Sequence, residues 1–175
     1  MAEIDFITAF ARLLCDGKLR EEFATNPQAV AEKVQLHPAD LPAWLQLIPA
    51  DVEFQADVLL HKRLDLVKFF APETCRRLGE KLWPEFRGFA RLNWPAEGGE
   101  KFLDAFQFCR HLRQQNSRAV AASEWNRLDF ALSKRWAACH WVPMPVKKMK
   151  MRRGFQLFIR SRGGRWREIF LYFWM

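Results

Sequence analysis

Two glycines, Gly163-Gly164, divide the end of the chain into two runs rich in apolar and aromatic residues, 155–162 and 165–175. Runs of this length around a Gly-Gly pair read as a β-hairpin. A two-residue primed turn, with positive φ at its centre, suits that pair. Such a turn sets Leu157 opposite Phe170, Phe155 opposite Tyr172, Phe158 opposite Ile169, Arg160 opposite Arg167 and Arg162 opposite Arg165. Arg160, Arg162, Arg165 and Arg167 then project from one face near the hairpin tip. Like charges opposed across strands are destabilising. Four on one face make sense where an anion visits; the alternative is a solvated tip that blocks aggregation. Behind the tip both faces are apolar, one with Leu157, Phe170, Tyr172 and Trp174, the other with Phe158, Ile169, Leu171 and Phe173. One face is expected to pack on helices. The other is left for another chain or for further helices.

A third strand is expected upstream. Pro143 and Pro145 exclude a helix there, and residues 146–152 alternate Lys with Met, the period of two that marks a strand. This short, Lys-rich stretch reads as the edge of a three-stranded antiparallel sheet. Its Lys147, Lys148, Met149, Lys150 and Met151 are, with the four arginines, the candidate peptide-binding residues.

The charge distribution points the same way. The chain of 175 residues has a net charge of +8. Residues 146–175 hold nine of its Lys and Arg and a single acid, Glu168, so the tail carries the whole excess and the remainder is neutral. Such asymmetry suggests an acidic partner: nucleic acid, a membrane surface or an acidic peptide. Cys15, Cys75, Cys109 and Cys139 show no paired spacing, the first residues are acidic rather than basic, and no apolar run approaches the ~20 residues of a membrane span. These features suit a cytoplasmic protein with free thiols. Eight Trp and sixteen Phe against one Tyr suggest a large docking surface as well as a core.

Upstream of Trp141 the apolar spacing is helical throughout. Ile4, Ile7, Phe10, Leu13 and Leu14 form one face of a first helix that Asp16-Gly17 ends. Asn26-Pro27 starts another, and residues 51–70 form the longest. Further helices are expected at 73–81, 84–92, 100–115 and, with Trp125, Leu128, Phe130, Leu132 and Trp136, at 123–138. The expected class is α+β, a helical domain over 1–116 followed by a helix and antiparallel sheet over 117–175 that form the peptide-binding module.

Catalytic motifs are missing. There is no glycine-rich phosphate loop, no Gly-x-Ser-x-Gly elbow and no His-Glu-x-x-His. Cys109-Arg110-His111 and Cys139-His140 lack the second half of a zinc site. The chain is therefore expected to be no enzyme and to hold no metal. For the basic tail the two readings are nucleic acid, through phosphate contacts and base stacking, and an extended peptide added to a strand edge. The peptide is favoured: the strand aromatics are committed to packing, and the last helix is too weakly basic to be a recognition helix. A basic nucleic-acid-binding regulatory protein is the alternative.

The helices also carry a resemblance. Leu13-Leu14 is followed by Leu19-Arg20-Glu21-Glu22-Phe23 and Asn26-Pro27-Gln28-Ala29-Val30. Next come Phe54-Gln55-Ala56-Asp57-Val58-Leu59-Leu60-His61-Lys62-Arg63, Arg77-Leu78-Gly79 and Phe102-Leu103-Asp104-Ala105-Phe106-Gln107-Phe108. This pattern of helix residues is similar to the small partner proteins of multinuclear non-heme iron-dependent oxidative enzymes in peptide modification, as in methanobactin and 3-thiaglutamate biosynthesis. The resemblance covers residues 10–112. It implies a non-catalytic, peptide-recognition subunit in a heterodimer. The helical part would dock on the iron enzyme, and a small sheet would take the leader of a ribosomally made precursor as an added strand. The partner would then modify a cysteine of that peptide. Iron would reside in the partner, with no cofactor in this chain. The charge of the tail adds that the leader would be acidic.

Overall fold

The computed structural model describes residues 3–95, 102–115, 117–145 and 151–172, and the side chains at 144, 145, 151–153 and 172 lie outside the description. The fold is α+β: helices fill the N-terminal part and a three-stranded antiparallel sheet follows. The chain forms two compact units, one of Met1–Asp65 with Trp83–Gly99, the other of Leu66–Leu82 with Glu100–Met175.

The first unit is helical. It holds α1 (Phe6–Cys15), α2 (Gly17–Thr25), α3 (Pro27–Val34), α4 (Leu41–Leu45), most of α5 (Pro49–Phe70) and, past α6 (Pro72–Leu78), α7 (Leu82–Ala90). Short polar side chains start the first three. Asp5 accepts from the Thr8 amide, Asp16 from those of Lys18 and Leu19, and Asn26 from that of Ala29, each bond satisfying a donor the helix cannot. Asp16 ends α1 and begins α2 in one residue. Gly17 therefore opens α2, where the sequence suggested that it closes α1. It lies so close to Arg91 that a Cβ would fall 2.8 Å from the Arg91 carbonyl oxygen, which is why glycine stands there.

The core of this unit is built on Ala9, Leu13, Phe23, Val30, Val34 and Trp44. Trp44 meets Phe23 edge to face at 5.3 Å, and its indole N–H donates to the Pro27 carbonyl. Buried Arg20 donates from Nε to Glu53 at 2.8 Å and from a terminal nitrogen to the carbonyls of Leu13 and Leu14. Arg87 joins Glu53 and Asp57, and Arg91 lies 3.5 Å from Glu21 and 3.4 Å from Glu53.

The second unit contains the last turns of α5, α6, α8 (Leu103–Gln114), α9 (Ala122–Leu132) and the strands β1 (Ala137–Pro145), β2 (Met151–Arg160) and β3 (Trp166–Tyr172), ordered β1-β2-β3. A distant side chain starts α6. The Glu124 carboxylate accepts from the amides of Glu73 and Thr74 at 2.6 and 2.8 Å and from the Thr74 hydroxyl at 2.7 Å. Charge-assisted bonds of this kind exceed a neutral cap in strength.

The last helix and the first strand depart from expectation. Leu128, Leu132 and Trp136 continue a helical spacing, yet α9 stops at Leu132. Ser133 is already extended, with ψ at 160°, and Ser133-Lys134-Arg135 leads into β1. Cys139-His140 therefore lies in a strand, and Trp136 is 62% exposed instead of packing as a helix residue. β1 takes Pro143 and Pro145 into an edge strand, where a missing N–H on the outer side costs nothing. Met151 and Arg152, expected on the edge, instead open the central strand β2 and pair with Pro145 and Met144. Lys147, Lys148, Met149 and Lys150 lie outside the described residues.

Candidate functional site

The β2–β3 turn sets the geometry of the site. Ser161 donates its amide to the Arg165 carbonyl at 2.7 Å, and the Gly164 amide donates to the Ser161 carbonyl at 3.0 Å. Gly164 has a φ of +79°, whereas Gly163 is not left-handed. The connection is thus a three-residue loop, Arg162-Gly163-Gly164, closed by one left-handed glycine, and not the two-residue primed turn. One extra loop residue shifts the pairing by one. Arg160 pairs with Trp166, Ile159 with Arg167, Phe158 with Glu168 and Leu157 with Ile169. Because side chains alternate, this slip turns every β3 residue to the face opposite the expected one.

The inner face carries Ala138, His140 and Val142 of β1, Gly154, Gln156, Phe158 and Arg160 of β2, and Trp166, Glu168 and Phe170 of β3. Phe158 is fully buried and stacks on Phe130 of α9 at 5.0 Å. Buried Gln156 donates to the Ser123 carbonyl and to Glu168, and accepts from Asn126; Arg127 clasps Glu168. Arg160 belongs here and not to the tip cluster. It donates to the carbonyls of Phe130 and Ala131 at 2.9 and 3.3 Å, and its guanidinium lies over the Phe130 ring. A cation on the last carbonyls of α9 complements its dipole and adds a donor to Phe130, which also accepts from the Ser133 amide and hydroxyl.

The open face differs throughout. Ala137, Cys139 and Trp141 of β1 align with Ile159, Leu157 and Phe155 of β2, and these with Arg167, Ile169 and Leu171 of β3. Trp141, Ile159, Ile169 and Leu171 are each 40–46% exposed. The strip is apolar along most of its length and cationic at one end. There Arg165 and Arg167 border a depression of about 580 Å³, which Ile159, Ser161, Trp166 and Ile169 also line. Arg162 is exposed in the loop itself. None of these three arginines has an ion pair among the described residues. Thus the structure brings Arg165 and Arg167 together with Arg162 near by, and removes Arg160.

β3 is the edge strand of the sheet on the side away from β1. Among the described residues it pairs on one side only, with β2. The Ser161–Arg165 bond fixes the alternation of the ladder. Backbone groups of Arg167, Ile169 and Leu171 therefore turn to β2, and those of Trp166, Glu168 and Phe170 turn outward. β3 has no proline, unlike β1. The sequence pointed to residues 146–152 as the edge and missed β3. An uninterrupted seven-residue run without proline was the signal available.

The thiols offer little chemistry. Burial pushes Cys75 up to about 11 and Cys109 up to about 12, so both stay protonated near neutrality, and burial also raises Cys15. Among the described residues no three His, Cys, Asp or Glu side chains gather as a metal site, and no helix is long and apolar enough to cross a membrane. Comparison with protein-family models, with curated proteins and with solved structures finds no match.

Proposed function

We propose that this chain is a non-catalytic accessory subunit that binds the leader of a ribosomally made precursor peptide and presents its cysteine to a partner iron-dependent oxidative enzyme. One observation carries the binding half of this reading. β3 has outward backbone groups with no neighbouring strand among the described residues, beside an apolar face and unpaired arginines. An extended peptide would continue the sheet through backbone hydrogen bonds, which work for many sequences, and acidic side chains would meet the arginines. The iron enzyme as partner rests on the resemblance of the helices.

Hydrogen exchange tests the peptide half. An acidic synthetic peptide of alternating Glu and Val is expected to slow exchange at the outward amides of Trp166, Glu168 and Phe170. Unchanged rates at a peptide concentration that saturates binding would remove β3 from the site. Co-expression with a candidate iron enzyme, sought among the neighbouring genes, tests the other half, where separate elution at micromolar concentration counts against a heterodimer. The exposed Arg162, Arg165 and Arg167 also suit phosphates. Steeply salt-dependent binding of generic duplex DNA, with no affinity for the peptide, would favour the nucleic-acid regulator.

A further inference from the structure

The geometry points to a side-chain pattern in the bound strand. We propose that β3 selects a peptide with two acidic residues at alternate positions, opposite Arg165 and Arg167, in line with two apolar residues opposite Ile169 and Leu171. The proposal rests on the strand-addition reading and specifies the substrate class of that site.

Residues on one face of adjacent strands are direct neighbours. Every second residue of an added strand would therefore lie beside Arg165, Arg167, Ile169 and Leu171 in turn. At the first two positions a carboxylate finds guanidinium groups that have no ion pair among the described residues. It also finds a depression with Ile159 and Ile169 in its lining, whose exposed apolar surface an added strand would cover. At the next two positions Ile169 and Leu171, 40% and 46% exposed, continue into Leu157 and Phe155 of β2. A carboxylate there would lose water without gaining a cation. The intervening peptide positions face the other way, towards Trp166, Glu168 and Phe170. Glu168 already holds Arg127 and Gln156, so an acid beside it meets like charge. The two faces thus agree on where acids belong.

Antiparallel pairing is slightly the more stable and gives the peptide order apolar-x-apolar-x-acid-x-acid from its N-terminus. A second copy of the chain fits less well. Antiparallel pairing of two β3 strands about Glu168 would set Arg167 beside Ile169 and Arg165 beside Leu171, with no counter-charge. Parallel pairing in register would stack arginine on arginine.

Two dye-labelled peptides of the same composition test the pattern by fluorescence anisotropy with the full chain. Val-Ser-Val-Ser-Glu-Ser-Glu carries acids and valines on one side; Val-Ser-Val-Glu-Ser-Glu-Ser carries the acids on the other. The first is expected to bind about tenfold more tightly. The R165E/R167E variant is expected to lose that preference and to prefer the first peptide with Lys in place of Glu, a gain that a misfolded variant would not show. Equal affinities for the two peptides, with β3 amides still protected, overturn the pattern and leave strand addition standing. Absence of binding and of β3 protection by either peptide overturns both. Dimerisation that the peptide reverses would identify a second copy as the occupant and overturn the proposal.

Discussion

Arg20 and Arg87 in the helical unit, and Arg165 and Arg167 beside the β2–β3 loop, are the same side chain in opposite surroundings. Glu53 and Asp57 hold the first pair, and Arg20 also serves two backbone carbonyls. The second pair has no acid against it among the described residues, although Glu168 sits within the same strand. Glu168 is turned inward by the strand alternation and spent on Arg127 and Gln156. In the helical unit the fold supplies the carboxylates. At the sheet tip none is supplied among the described residues.

That contrast can be broken by measurement, beginning with the strongest effect. Arg20→Ala should lower stability by about 2–3 kcal/mol in urea unfolding, since it takes one of three arginines from a partly buried Glu53 and leaves two helix-end carbonyls without that donor. A loss below about 1 kcal/mol would show that Arg20 is as dispensable as a surface residue. Arg160→Ala should cost about 1–2 kcal/mol by the same assay, because its bonds to α9 go with it. Stability unchanged by that substitution would return Arg160 to the tip.

The third effect is a pH dependence. Hydrogen bonds from Arg76, aided by Arg77, hold the Glu73 carboxyl at about 2, below its ordinary 4.5. A depressed carboxylate adds stability that is complete above the unfolded value and lost as pH falls from about 4.5 towards 2. Glu73 is partly exposed, so the contribution is small. Glu73→Gln should flatten that part of the acid limb in a pH series of thermal unfolding. An acid limb identical in the two proteins would assign the loss to other carboxylates. The smallest effect is expected for R165A/R167A, whose stability should match the parent within about 0.5 kcal/mol while binding of the acidic peptide falls. A larger loss would mean that these cations have structural partners after all.

The helical part was readable because its punctuation is local. Asn26-Pro27 marks the start of α3, and Asp16-Gly17 marks the junction of α1 and α2, although the sequence showed it only as an end. The sheet was legible in class and strand number but not in its details. Gly163-Gly164 serves a two-residue or a three-residue loop, and only the φ of each glycine tells them apart. That one-residue difference decided which side chains share a face. It moved Arg160 out of the tip cluster and set Arg165 and Arg167 on the face opposite Glu168. β1 was hidden by the helix-like spacing of Leu128, Leu132 and Trp136, and the role of Glu124 by the fifty residues that separate it from Thr74.

The loop Arg162-Gly163-Gly164 also makes this part of the chain sensitive to a kind of change that leaves every functional side chain in the sequence. Loss of a single glycine codon leaves two outcomes. With Ser161 still opposite Arg165 across a two-residue turn, both faces are kept. With a three-residue loop retained, the pairing slips by one, so that Arg167, Ile169 and Leu171 would face α9 and Trp166, Glu168 and Phe170 would face water. Divergence at this site is therefore governed by strand register as much as by the loss of arginines. Two chains with identical strands but pairings that differ by one residue would present opposite surfaces.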